Sequence, residues 1–567
     1  MIPMNPAGKF RSEVVRIVSA KAGLPKDKIE GLLEKPPENI GADLALPCFR
    51  LDKNPAEFAK SLAGKIKPSD LVKDVNFYGP YVNFYAEWGK LGGDVLRQIL
   101  KEKGKYGRSG QSGKRIMVEF AQPNTHKAFH IGHVRNISLG ESLCRILESA
   151  GNRVVRTNYQ GDIGPHVAKC IWGLLKLHKG REPNKGRGRW LGEVYKEASL
   201  KIEKNKKYEE EMREINKKLY SQDREMIPIW SKTRKWSLDY FDGIYRDFGA
   251  KFDRLYFESE TEGPGKKTAL ELLDRKIAER SDDAVVVDLK KHGMGVVVLL
   301  TKEGNPLYHA KDLALAEMQY REYRPDRIIH VVGSEQNLYF RQLFKMLEVM
   351  GWEHYEKEFH MSYGLVNLES GKMKSREGKV ILYEELKDKL LKLAIKETGK
   401  RNPKLPKGEI ERTAYTIAMG ALKYTMISQS PEKVIVFEWD KVLSFDGDTA
   451  PYIQYSHARA CSILRKAKKS PLKFDAKLLV KEEEKTLISH LMDFPETVSR
   501  AARDYRPHYV ANYAYRLATL FNDFYQSLPV LKADPKTKQA RLALVMAVQV
   551  TLKNSLGLLG IEAPERM

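Results

Sequence analysis

The chain has 567 residues, 42% of them hydrophobic, and carries 98 lysines and arginines against 74 aspartates and glutamates, a net charge of +24. That length suits about three or four globular units of ~100–200 residues each, and the basic surplus points to a large structured polyanion rather than a membrane surface. No apolar run is long enough to cross a bilayer, Met1-Ile2-Pro3-Met4-Asn5 lacks a signal stretch, and the scattered Cys48, Cys144, Cys170 and Cys461 argue against a disulfide framework or a zinc site, so a cytoplasmic protein without structural metal is expected.

In chain order, residues 1–110 read as a separate α+β unit, with β-type runs 75–78 and 81–85 flanking Gly79-Pro80. A Lys/Gly-rich connector at 100–114 closes it. Residues 115–121 predict a buried strand, 131–149 a helix, 153–159 a strand and 164–178 a helix. That alternation implies parallel strands with helical crossovers, a Rossmann-like α/β unit over 112–435. A charge-dense helical insertion, expected to be exposed, interrupts it at about 180–283. The sheet pattern is expected to resume at 284–288, 295–300 and 327–332. Beyond about 400 the β signal fades. Residues 409–430, 452–468, 484–503, 507–526 and 535–558 predict helices, so 436–567 is expected to be an all-α bundle.

Two segments carry chemistry. His130-Ile131-Gly132-His133 falls between the strand at 115–121 and the helix at 131–149. Backbone N–H groups and the positive end of a helix dipole collect there, which suits a phosphate chain, and Gly132 lets a flat group approach the backbone. A four-residue match is weak by itself, and a structural cap or a metal pair would be the ordinary reading. The strand–loop–helix setting, with Pro123 and Asn124 in the turn, favours phosphate. Far downstream, Gly371-Lys372-Met373-Lys374-Ser375-Arg376-Glu377-Gly378-Lys379 packs four cations into a glycine-bounded loop. Alone this is a solvated loop; paired with a phosphate site it reads as a cationic flap over a triphosphate.

At these two segments the chain resembles class I aminoacyl-tRNA synthetases, whose signatures are His-Ile-Gly-His and Lys-Met-Ser-Lys-Ser. The segments 123–129, 158–164, 308–312, 333–336, 445–455 and 559–567 narrow the resemblance to the arginyl-tRNA synthetases. The family implies ATP-dependent attachment of arginine to its tRNA through an arginyl-adenylate, with ATP supplied as its Mg²⁺ complex and no protein-held metal. It implies an N-terminal additional domain that touches the tRNA elbow and a C-terminal anticodon-binding bundle. A monomer is the default expectation.

The same resemblance assigns roles. Lys127, His130, His133, Lys372 and Lys374 would be catalytic. His130, Gly132, His133, Met373, Lys374, Ser375 and Arg376 would hold ATP. Glu119, Gln122, Asn124, His133, Tyr308, Asp312 and Gln336 would surround arginine, with Asp312 as the anion facing the guanidinium. Tyr452, Gln454, Tyr455, His457, Arg459 and Met567 would meet tRNA, by stacking on unpaired bases where aromatics or guanidinium planes allow it. Three positions depart from the family pattern. Ser375 stands where the second signature lysine belongs, and Lys127 fits the compensation some arginyl enzymes use. Gln122 replaces a small residue, and Asp448 an asparagine.

Three rivals remain at this stage: another class I specificity, a smaller nucleotidyltransferase sharing the histidine signature, and a non-catalytic RNA-binding paralogue. The length and helical C-terminal region disfavour the nucleotidyltransferase, and the presence of both signatures disfavours the paralogue.

Overall fold

The structure, a computed structural model, describes residues 5–37, 40–368, 381–468 and 473–567. The N-terminal unit is a three-stranded antiparallel sheet of β1 (Leu44–Pro47), β2 (Val72–Tyr78) and β3 (Tyr81–Ala86), in the order β1-β3-β2. Gly79, at φ +52°, makes the left-handed turn of the β2–β3 hairpin. Helices Pro6–Ala22 and Pro55–Lys65 accompany this sheet, and Val14, Val18, Leu46, Leu62 and Phe84 fill a core of their own. The next helix, Trp88–Glu102, reaches beyond it: Val95, Leu96 and Ile99 enter the large core shared with the C-terminal bundle. Tyr106 donates to the carbonyl of Leu491 at 2.8 Å. In packing terms this helix bridges the two cores, with Leu91 buried in the N-terminal one and Trp88 packed against both.

Five parallel strands form the central sheet. β4 (Arg115–Glu119), β5 (Arg153–Gln160) and β6 (Arg254–Phe257) make one half. β7 (Glu279–Ser281), β8 (Ala284–Asp288) and β9 (Val296–Leu300) then form a separate antiparallel sheet, against the expectation that 284–288 and 295–300 resume the main one. β10 (Arg327–Gly333) and β11 (Glu358–Tyr363) complete the central sheet, whose order is β11-β10-β4-β5-β6. Winding reverses between β4 and β10, so a crevice opens at their carboxyl ends, the usual ligand position of such sheets.

The insertion between β5 and β6 is a group of helices: Pro165–Lys176, Arg187–Ile202, Lys206–Tyr220 and Met226–Phe248. It is less exposed than its charge suggests, because Trp172, Ala198, Met212 and Leu219 make an apolar core within it. The C-terminal region is helical as expected, but the predicted helix at 484–503 is two, Glu482–Met492 and Phe494–Asp504. Pro495 sits in the first turn of the second, where its missing N–H costs nothing, and the chain breaks at Asp493. Short β12 (Val366–Leu368) pairs in parallel with β13 (Ile435–Phe437). Arg135, fully buried on helix Ile131–Ser149, fastens this seam by donating to the carbonyls of Leu365, Pro431 and Lys433 at 3.1, 2.8 and 2.7 Å.

Candidate active site

The turn after β4 is strained and tightly held. Ala121 (φ +75°) and Gln122 (φ +46°) are successive left-handed residues with side chains, an arrangement that costs roughly 1–2 kcal/mol per residue. The Asn136 side chain accepts from Ala121 N at 2.5 Å and the Asn158 side chain from Gln122 N at 3.1 Å. His126 (φ +64°) is sealed between the hydroxyls of Thr125 and Thr233, at 2.9 and 2.8 Å. Thr233 lies on helix Met226–Phe248, and Gly192 of another insertion helix has no room for a side chain against Ala128. The insertion thus forms one wall of the site.

His130 caps helix Ile131–Ser149. Its Nδ1 accepts from Gly132 N at 3.1 Å, while its own N–H donates to His133 Nδ1 at 3.2 Å. The two rings stack at 3.8 Å. Because both Nδ1 atoms accept, the neutral rings carry their protons on Nε2. Burial, with the charge of Lys127, lowers His130 to about 4; burial, with His130 and Lys127, also holds His133 well below its ordinary value. Two Nε2–H donors are thereby available, without positive charge. Lys127 lies with its ammonium 5.3 Å from the centre of the Tyr195 ring, and burial, then the nearby Lys169, lowers its pKa. Across the turn, the backbone at 129–131 pairs with 381–383: Tyr383 N donates to Phe129 O at 2.9 Å and Ile131 N to Ile381 O at 3.1 Å. The flap positions Lys372, Met373, Lys374, Ser375 and Arg376 lie outside the described residues, immediately before this pairing.

A small pocket of about 20 Å³ lies beside the turn, lined by the polar Glu119, Asp312, Gln319, His330 and Glu358 and by the apolar Leu315, Ala316, Phe340, Leu343 and Leu347. Glu119, at the end of β4, is 3% exposed. It accepts from Gln122 Nε2 (2.8 Å) and Gln319 Nε2 (2.6 Å) and faces His330 Nδ1 at 3.3 Å. Burial would raise this carboxyl, but the His330 charge and the two amides bring it below its ordinary value. Asp312 lies one turn into helix Tyr308–Tyr323 and accepts a hydrogen bond from the Tyr339 hydroxyl. Burial pushes Asp312 up to about 7, with Glu119 and Glu258 adding repulsion.

Of the expected arginine residues, Glu119 and Asp312 line the same pocket. Gln122 does not face the pocket as an independent contact; it holds Glu119. Asn124 sits against Gly161, where a Cβ would fall 2.2 Å from its Oδ1. Tyr308 is 66% exposed, and Gln336 is exposed in the short helix after β10. Gln319, His330, Tyr339 and Glu358 were not anticipated. Gln319 was within reach of the sequence, seven residues after Asp312 and so on the same helix face.

At the C-terminal end, two expected tRNA contacts are corrected. Gln454 and His457 are fully buried. Gln454 Nε2 donates to Glu562 O at 2.9 Å, and His457 Nδ1 to Pro564 O at 2.9 Å, so they fasten the tail rather than face RNA. Tyr452, Tyr455 and Arg459 are partly accessible, and Met567 shares a cavity with Tyr455, Phe445 and Arg401. Asp448, itself exposed, accepts from the Tyr424 hydroxyl at 2.5 Å, a contact between helix and loop.

Comparisons with known proteins agree on one family. Residues 95–439 match the model described as tRNA synthetases class I (R), catalytic domain. Residues 453–567 match the DALR anticodon binding domain, and 9–86 the arginyl tRNA synthetase N terminal domain. An arginine–tRNA ligase of Clostridioides difficile is 35% identical over 551 residues, 96% of this chain and 97% of its own. One from Treponema denticola is 36% identical over 557 residues, 94% of each chain. The solved arginyl-tRNA synthetase of Thermus thermophilus superposes with a TM-score of 0.80 at 27% identity, over 98% of this chain and 100% of that one.

Proposed function

This chain belongs to the arginyl-tRNA synthetase family of class I, and from that premise we propose that it joins L-arginine to its cognate tRNA, using ATP, through an arginyl-adenylate. The observation that carries the reading is the carboxylate-lined pocket, with buried Glu119 and half-buried Asp312, beside two stacked neutral histidines at the switch point of a parallel sheet. A cationic amino acid suits the first half of that site and a phosphate chain the second.

The chemistry is attack of the arginine carboxylate on the α-phosphate of ATP, which enters as its Mg²⁺ complex, with pyrophosphate leaving. The 2′-hydroxyl of the terminal ribose of tRNA then attacks the adenylate carbonyl and AMP departs. No protein nucleophile takes part, so rate comes from position and charge. His130 and His133 offer Nε2–H donors to phosphate oxygens. Lys127, whose charge burial penalises, is stabilised when the polyphosphate arrives and again as charge grows on departing pyrophosphate. Lys372, Lys374 and Arg376 share that task from the flap, with Met373 and Ser375 beside them. Asp312 and Glu119 take the guanidinium, Tyr308 covers it, and Asn124 with Gln336 holds the amino and carboxylate ends. The unit at 1–110 meets the tRNA elbow; Tyr452, Tyr455, Arg459 and Met567 of 436–567 meet the anticodon region. Among the described residues no helix is long and apolar enough to cross a membrane, and we place the enzyme in the cytoplasm as a monomer.

The test is ATP–pyrophosphate exchange and tRNA charging with each amino acid in turn. Arginine alone should support both, and exchange should need tRNA. Equal charging with lysine or glutamate would overturn the assignment; strong exchange in RNA-free protein would overturn the requirement for tRNA.

A further inference from the structure

Behind the arginine pocket lies a charge arrangement that the reaction scheme leaves unused. His330 points between two carboxylates: its Nδ1 is 3.3 Å from Glu119 and its Nε2 is 2.7 Å from Glu358. All three groups are buried. They come from three adjacent strands, β4, β10 and β11, so the sheet itself fixes their spacing. Helix Asn337–Val349 closes the imidazole off with Phe340 and Phe344, at 5.3 and 6.1 Å between ring centres. Helix Tyr308–Tyr323 contributes Asp312 and Gln319, and β11 adds His360. Two buried acceptors in the pocket lining, Gln319 Oε1 and Glu358 Oε1, have no hydrogen-bond donor among the described residues.

We propose that His330, backed by Glu358, is a positioning residue that keeps Glu119 ionised and aimed, and so makes the pocket floor selective for a guanidinium. The proposal rests on the arginine reading of the site.

Without the imidazolium, Glu119, Glu358 and Asp312 would be three carboxylates around one apolar-walled pocket. Like charges so confined cannot all ionise, and protons would occupy some of them. A protonated Glu119 presents a hydroxyl where a guanidinium needs an acceptor. His330 removes that outcome by supplying a fixed positive charge from behind. Burial alone would lower its pKa, yet Glu119 and Glu358 lift it to about 10, so the charge persists through neutral pH. The Gln122 and Gln319 amides then fix the plane of the Glu119 carboxylate. A guanidinium brings five N–H donors in a plane, enough to meet the Glu119 and Asp312 carboxylates together, whereas an ammonium brings three on a point. Lysine would leave acceptors unpaired in a buried site, which is how a polar pocket rejects the wrong ligand.

His330→Asn keeps a donor near Glu119 and removes the charge. Arginine KM and kcat in tRNA charging should be measured from pH 6 to 8.5, alongside the melting temperature and tRNA binding. We expect KM at pH 7 to rise about 10- to 100-fold with kcat changed less than about threefold, the pattern of lost substrate binding. The acid limb of kcat/KM should steepen from one proton to more than one as Glu119 begins to titrate. A role confined to packing would lower stability without altering that slope. If His330→Asn does not fold, the double variant His330→Leu/Glu358→Leu replaces the ion pair by apolar groups, a change buried pairs often tolerate. It should show the same KM rise and the same extra proton. A folded variant of either kind with wild-type KM and a single-proton limb would overturn the proposal. Failure of the wild-type protein to charge arginine would instead overturn the functional reading beneath it.

Discussion

Arginine binding should release a proton from Asp312. Burial holds this carboxyl at about 7, so near neutral pH about half of the empty sites carry it uncharged. A guanidinium binds the ionised form. The sign follows: below pH 7 the neutral acid must first lose its proton, so apparent affinity falls as pH falls and levels off above pH 8. With one titrating group the weakening is about elevenfold at pH 6, about twofold at pH 7 and about 1.1-fold at pH 8. Arginine KM measured across this range should trace that curve. Calorimetry in two buffers of different ionisation heat should count about half a proton released per arginine bound at pH 7. Asp312→Asn keeps the shape and a partner for the Tyr339 hydroxyl but removes the anion. It should raise KM by about 30-fold or more, the equivalent of at least ~2 kcal/mol for a charge left without its partner, and flatten the dependence on pH. A wild-type KM constant from pH 6 to 8, or an Asp312→Asn variant that keeps the slope, would refute the reasoning.

The same carboxyl has a folding consequence. Its pKa lies above the unfolded value, so its favourable contribution is complete below about pH 4 and is lost as pH rises to 7; the melting-temperature gain of Asp312→Asn over wild type should grow across that window and then stay constant. Lys127→Ala should fold, bind ATP and tRNA, and activate arginine about 10²–10³ times more slowly, as expected for a donor acting mainly in the transition state; near wild-type exchange rates would pass its role to Lys372 or Lys374. Gly161→Ala places a methyl 2.2 Å from Asn124 Oδ1, so Asn124 must swing away, and steady-state kinetics should show a raised arginine KM with ATP binding little changed.

Much of the fold was legible because its signals are local. The 131–149 pattern ends at the observed helix limits, and the C-terminal helices announce themselves by periodicity. The failures share a cause. Val-rich 284–288 and 296–300 look the same whether they join a parallel sheet or pair with each other, and only tertiary partners decide. The four-residue strand β6 and the mixed-polarity β11, which carries Glu358, His360 and Ser362, are too short or too polar to stand out. At the site, Asp312 came from a family motif, and Glu119 was read as negative charge at the end of the neighbouring strand. His330 was visible as the one basic side chain inside a β-branched run, but its meaning depends on Glu119 and Glu358, which lie 211 and 28 positions away. Gln454 and His457 were given to RNA with the rest of their helix, whereas their partners are backbone carbonyls of the tail, which no local pattern shows.

The pairing of residues 129–131 with 381–383 also bears on how the molecule is made. The two segments are about 250 positions apart, and loop closure on that scale is slow and entropically unfavourable until packing rewards it. A growing polypeptide can build the first sheet half, β4 to β6, and the signature helix long before residue 383 emerges. Through that interval the first turn of the helix lacks its neighbouring backbone, and Arg135 lacks the carbonyls at 365, 431 and 433 that satisfy it. The His130–His133 turn therefore matures among the last parts of the catalytic unit to form. Pulse-labelled hydrogen exchange should find the amides of Ile131 and Tyr383 protected together, and later than those of Met117 and Val155.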